Sequence, residues 1–178
     1  MILTDVGEIG VYYEGREMIL RPSLYAMSKL GDKKEILEIS LRVMAGDLAY
    51  SLAVIQCCAD DDTRDIFGYI DENLRFNEMF ASVGEIIIVA QSLMKHGIIG
   101  DIERDEYEGE ASNEFDAKSY VSLAVAHLGM SEREAWQMTM TSLAGALMAK
   151  FPPEPRKYLT EKEENEMLAW FEKIKDKR

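Results

Sequence analysis

The sequence contains few of the residues on which recognisable enzyme chemistry depends. Only two cysteines and two histidines occur among its 178 residues. Cys57 and Cys58 are adjacent, which suits an ordinary disulfide poorly, so we interpret both as core residues. The motifs typical of zinc sites, phosphate-binding loops, dinucleotide-binding turns and serine hydrolases are also missing. We therefore predict no enzymatic activity, no cofactor and no bound metal.

Both histidines have an ordinary structural explanation. His96 directly precedes Gly97, and His127 lies two residues before Gly129, so each falls at the C-terminus of a predicted helix. A histidine in that position interacts favourably with the helix dipole. A catalytic role would instead require a polar cleft around one of the histidines, with an acid nearby.

Long apolar runs and an excess of basic residues are also absent. The longest apolar stretches, residues 86–90 and 121–126, fall far short of the roughly 20 residues that span a bilayer. The N-terminus carries an acid where a secretory signal carries bases, so we expect a cytoplasmic protein. A formal net charge of −13 argues against nucleic-acid binding, because phosphate contacts need clustered Lys and Arg. Basic or apolar protein partners remain open.

The residues that are present indicate a mainly α protein with one compact helical domain. Hydrophobic residues make up 47% and charged residues 30% of the sequence, a balance typical of globular proteins. We predict a domain over residues 1–151 with about five to seven helices and a small N-terminal β-hairpin over residues 1–21. A C-terminal amphipathic helical tail is predicted over residues 152–178.

Local patterns predict the individual elements. Ile9, Val11 and Tyr13 alternate with other residues before a Glu14-Gly15 turn, which favours the hairpin. Helices are predicted over residues 24–30, 33–59, 82–96, 117–128, 131–138 and 142–151, with a weakly periodic stretch at 63–81 that could hold a short helix near 65–74. Capping boxes mark the starts of two of these helices, Ser82 with Glu85 and Ser131 with Glu134. Thr139 or Thr141 can cap the helix over residues 142–151, and Thr160 with Glu163 can cap the helix of the tail.

An acidic segment interrupts the helices. Residues 101–116 contain eight acids and one base, so more than half of the net charge lies in this stretch. Glycine, serine and asparagine occur among the acids, which indicates a loop.

The candidate binding residues are apolar and lie near the end of the domain and in the tail. Eleven methionines are many for this length, and methionine can either fill a core or form an adaptable binding surface. We select as candidate partner-binding residues Trp136, Met138, Met140, Leu143, Leu147, Met167, Leu168 and Phe171.

Three stretches of the sequence share their patterns with a known family. The first contains Gly7-Glu8, the hairpin and residues 20–31, leading into Glu35-Ile36, and the second is residues 86–100. The third is residues 120–152, with the strings Leu128-Gly129-Met130-Ser131, Glu134-Ala135-Trp136, Met138-Thr139-Met140-Thr141 and Ala149-Lys150-Phe151-Pro152. Together they cover about half of the chain and resemble the tail assembly chaperones of long-tailed bacteriophages.

The resemblance implies an assembly factor that binds other proteins in the host cytoplasm. Such a chaperone coats and solubilises the long, aggregation-prone tape measure protein and helps to recruit tail tube subunits around it. The resemblance therefore implies the tape measure protein and the tail tube protein as partners, with self-association left open. It implies no catalytic residues, and in many such phages a ribosomal frameshift yields a second, longer product.

Two other classes of function remain open at this point. A structural tail or neck component would stay in the virion and would be found stoichiometrically in purified particles. An acidic inhibitor that mimics DNA and blocks a host nuclease would need carboxylates arrayed on one rigid face. Here the acids are concentrated in a segment that contains glycine and serine.

Overall fold

Helices form most of the structure, a computed structural model that describes residues 2–4, 6–100 and 114–152. Eight α-helices occur in these residues: α1 (Leu24–Ser28), α2 (Glu35–Met44), α3 (Leu48–Cys58), α4 (Arg64–Phe67), α5 (Val83–Met94), α6 (Ala117–Leu123), α7 (Glu132–Gln137) and α8 (Met140–Lys150). Two short π-helical segments, π1 (Lys95–Ile99) and π2 (Ala124–Leu128), extend α5 and α6. The predicted mainly α class is confirmed. The predicted tail helix and most of the acidic segment lie outside the described residues.

The predicted N-terminal hairpin is confirmed as part of a three-stranded antiparallel sheet. Its strands are β1 (Ile2–Leu3), β2 (Ile9–Tyr13) and β3 (Arg16–Leu20), in that order across the sheet. Ile9 pairs with Leu20, and both side chains are buried together with that of Val11. Tyr12 faces solvent, as the period of two in a strand requires.

The prediction of one continuous helix over residues 33–59 is wrong. The helix stops at Met44, and α3 begins at Leu48 after a bend of 119°. Gly46 adopts φ +85°, a left-handed conformation that favours glycine and ends helices. Asp47 then caps α3, since its Oδ1 accepts hydrogen bonds from the backbone N–H groups of Ala49 (3.0 Å) and Tyr50 (3.3 Å).

Replacing Asp47 with alanine should lower the free energy of unfolding by about 1 kcal/mol, because both amides at the start of α3 lose their acceptor. Chemical denaturation measures the change. Asp47→Asn is the matched control. It keeps an acceptor oxygen, so its free energy of unfolding should fall much less. An equal loss in both variants would contradict the capping role.

Residues 63–81 form a small second hairpin after one helical turn. The helix predicted near residues 65–74 ends at Phe67, and strands β4 (Tyr69–Ile70) and β5 (Phe76–Asn77) follow. Asp71 shapes the turn between the strands, since its Oδ1 accepts from the N–H groups of Asn73 and Arg75, both at 2.9 Å. These side-chain contacts compete with a helical backbone and favour the turn.

The helix α5 lies at the centre of the fold, packed against α2 and α3. The predicted capping box at its start is confirmed, with Ser82 and Glu85 bonded reciprocally. The predicted end near Gly97 is wrong, because π1 carries the helical path on to Ile99. The Gly100 N–H donates to the Lys95 carbonyl over 2.9 Å, a π-helical bond that a period of 3.6 cannot anticipate.

The predicted order of elements from α6 to α8 is confirmed. The helical path of α6 and π2 ends at Gly129, and the capping box of Ser131 with Glu134 opens α7. Of the two possible caps for α8, the structure selects Thr139, whose Oγ1 accepts from the Ser142 N–H over 3.0 Å.

The junction between α7 and α8 connects to the N-terminal part of the chain. Thr139 and Ser23 form an isolated antiparallel bridge, and the Leu24 N–H donates to the Met138 carbonyl over 2.8 Å. The Thr139 hydroxyl donates to the Val6 carbonyl over 2.6 Å. This junction therefore fixes the start of α1 against the start of α8.

Within the described parts of the chain, no single helix combines the length and the apolar character needed to cross a membrane. The helices α2 and α3 reach that length only as a pair, across their bend.

Candidate protein-binding site

An open groove lies between α1 and α7. It has a volume of about 710 Å³, and its lining residues are Tyr25, Ser28, Glu132, Arg133, Trp136 and Gln137. One of them, Trp136, is a predicted partner-binding residue. We refer to this feature as the aromatic groove.

Two aromatic side chains give the aromatic groove its apolar surface. Tyr25 and Trp136 meet edge to face, with ring centroids 6.4 Å apart and an interplanar angle of 84°. Tyr25 is 50% exposed, and Trp136 is half-buried. The indole Nε1–H of Trp136 donates to Glu132 Oε1 over 3.3 Å, so the polar atom of the ring has a partner while apolar ring surface remains accessible.

Local sequence explains why these two side chains meet. Ser23 caps α1 by accepting from the Ala26 N–H over 3.1 Å, and this places Tyr25 on the exposed side of a short helix. On α7, Glu132 and Trp136 are four residues apart and therefore share one face. The bridge between Ser23 and Thr139 holds the two helices side by side.

Charged groups surround the aromatic pair. The Lys29 Nζ lies 5.3 Å from the centroid of the Tyr25 ring, a cation–π contact. Arg133 and Glu132 line the groove and are exposed. An apolar centre made of Tyr and Trp with a polar rim that includes Arg is the composition typical of the energetically important part of a protein interface.

The structure separates the predicted partner-binding residues that it describes into three groups. Trp136 lies in the aromatic groove, and Met138 and Leu147 are half-buried against the core. Met140 and Leu143 are buried, with exposed fractions of 5% and 1%. Selecting these last two as contact residues is therefore corrected: their helical spacing reflects packing into the core. Met167, Leu168 and Phe171 lie outside the described residues.

Sequence reasoning missed Tyr25. The available signal was an aromatic residue between Leu24 and Ala26, both of which are buried in the structure. A single exposed aromatic in so short a helix becomes meaningful only when its partner Trp136 is known.

The two histidines have different surroundings. His96 is buried in π1, and its Nδ1 lies 2.8 Å from Thr141 Oγ1. His127 is exposed in π2 and packs edge-on against the Phe151 ring, with centroids 5.6 Å apart.

Burial raises the pKa of the Cys57 and Cys58 thiols, which disfavours their reactive thiolate forms. Among the residues that the structure describes, no group of three or more His, Cys, Asp or Glu is arranged to hold a metal ion.

The fold and the groove together define a mainly α domain with an N-terminal β-hairpin and an exposed aromatic cleft. The chain belongs to the DUF6246 family, a family of unknown function whose sequence profile matches residues 46–166. No curated protein and no solved structure matches the chain. The family region includes α7 but begins after α1, so one wall of the aromatic groove lies inside it and the other outside.

Proposed function

We propose that this protein is a phage tail assembly chaperone that acts by binding, without catalysis, in the host cytoplasm. Its client on this proposal is the tape measure protein, and its further role is to help recruit tail tube subunits. The observation that carries the proposal is the pairing of Tyr25 with Trp136 in an open, polar-rimmed groove.

The arrangement of the chaperone-like stretches supports the proposal. The stretch at residues 20–31 contains α1, and the stretch at 86–100 contains π1. The third, at 120–152, contains α7 and α8. In the fold α1 packs against α7 and π1, and α8 packs against π1. Stretches that are distant in the sequence thus form one contiguous unit, as a shared structural role requires.

A physical mechanism follows from the composition of the groove. A largely helical client exposes apolar stripes that aggregate when they are not covered. Tyr25 and Trp136 can cover part of such a stripe by contacting an amphipathic helix laid in the groove. The net charge of −13 would keep the complex soluble, because complexes of the same sign repel each other.

The test is co-expression of the full chain with a tape measure protein from the same genome. We expect the tape measure protein to become soluble and to copurify. Tyr25→Ala should reduce the copurified amount by about tenfold, a loss typical of an aromatic interface residue. Tyr12→Ala is the matched control, because Tyr12 is an exposed tyrosine of β2 that does not line the groove.

Two results would contradict the proposal. One is unchanged solubility of the tape measure protein together with stoichiometric presence of this chain in mature particles, which would favour a structural tail or neck component. The other is an equal loss in the Tyr25 and Tyr12 variants, which would remove the groove from the mechanism.

A further inference from the structure

A second groove lies on another part of the surface, between β3 of the N-terminal sheet and the segment around α4. Its volume is about 860 Å³. None of its lining residues belongs to the aromatic groove. We refer to it as the acidic groove.

Four of the residues that line the acidic groove are apolar or aromatic. They are Met18, Ile66, Tyr69 and Met79, and of these Tyr69 and Met79 are 42% and 50% exposed. Tyr69 and Met79 therefore offer apolar surface to a ligand in the groove.

The arginines of the acidic groove are already neutralised within the chain. Arg16 pairs with Asp65 at 2.7 Å, and Arg64 pairs with Asp62 at 2.5 Å. Hydrogen bonds from Arg64 lower the pKa of Asp62 to about 2, so this carboxylate stays charged at neutral pH. Neither arginine therefore offers an unopposed positive charge to a ligand.

Two further carboxylates give the acidic groove its net charge. Glu17 and Asp61 line it, and within the described residues neither side chain makes a hydrogen bond or an ion pair. The lining thus has an excess of negative charge beside the apolar surface of Tyr69 and Met79. The complementary ligand has apolar side chains on one face and lysine or arginine at its edges.

We propose that the acidic groove binds a basic, amphipathic segment of a partner protein. The apolar side of the segment covers Tyr69 and Met79, and its basic side chains meet Glu17 and Asp61. This proposal does not depend on the proposed function, since it concerns different residues on a different surface.

The probe is a synthetic peptide of about 18 residues, enough for five helical turns, built from leucine, alanine and lysine with one apolar face. Binding to the full chain is measured by fluorescence anisotropy at about 0.15 M salt, where long-range attraction is screened. We expect saturable binding. A peptide with glutamate in place of every lysine should not bind, and comparable binding of that peptide would overturn the proposal.

Substitutions locate the bound peptide. Asp61→Lys and Met79→Ser should each weaken binding by about tenfold. Glu38→Lys is the matched control for charge, because it makes the same change outside the groove and breaks only an exposed pair with Arg42. The Tyr25→Ala variant should bind the peptide with the same affinity as the unmodified chain. Equal losses in Asp61→Lys and Glu38→Lys, or a loss in Tyr25→Ala, would overturn the proposal.

Discussion

Replacing Gly68 with alanine is expected to lower the free energy of unfolding by about 3 kcal/mol or more. Gly68 adopts φ +77° and ψ −173°, a region that is essentially restricted to glycine and costs other residues about 1–3 kcal/mol. A Cβ atom there would also lie 2.3 Å from the Asn77 carbonyl oxygen, so the backbone of β5 would have to move. Overpacking of this kind adds about 1–3 kcal/mol.

Chemical denaturation of the full chain measures this loss, and Gly145→Ala is its control. Gly145 lies in α8 with nothing within 4 Å of an added Cβ, so alanine there should stabilise the protein by up to about 1 kcal/mol. A loss at Gly68 below about 1 kcal/mol would show that the second hairpin is free to shift. Because Tyr69 follows directly, we also expect Gly68→Ala to weaken peptide binding in the acidic groove.

Replacing Thr139 with valine is expected to lower the free energy of unfolding by about 2–4 kcal/mol. Valine keeps the shape of threonine but removes the hydroxyl, which caps α8 at the Ser142 N–H and donates to the Val6 carbonyl. Loss of the cap costs about 1 kcal/mol. The partners left without a bond add about 1–3 kcal/mol, because Thr139 is buried.

Thr139→Ser distinguishes the hydroxyl from the methyl group. Serine retains both hydrogen bonds, so the free energy of unfolding of this variant should fall by only about 1 kcal/mol, because the methyl group is missing. Denaturation curves of the two variants provide the comparison. If the serine variant is as unstable as the valine variant, Thr139 stabilises the fold through packing of its methyl group and not through its hydroxyl.

Features determined by residues close in sequence were predictable. The capping boxes at Ser82 and Ser131 need only residues three positions apart, and both are present as predicted. The hairpin of β2 and β3 likewise follows from alternation around the Glu14-Gly15 turn.

Features that depend on competing local signals or on distant contacts were not predictable. Gly46-Asp47 is a signal for a helix break, but the apolar spacing on both sides of it favours one continuous helix. The π-helical bond at Gly100 leaves no mark in a 3.6-residue pattern. The aromatic groove needs Tyr25 and Trp136 together, and no rule based on local spacing brings them into contact.

The bridge between Ser23 and Thr139 affects how the protein can fold while the ribosome makes it. The helix α1, whose buried residues include Leu24 and Met27, receives its α6 and α7 neighbours only after most of the chain has been synthesised. Contacts so distant in sequence form late, and apolar surface stays open until they do. A nascent chain whose Thr139 has not yet left the ribosome would therefore be prone to aggregate, whereas one whose residues up to Pro152 have left it can close its core.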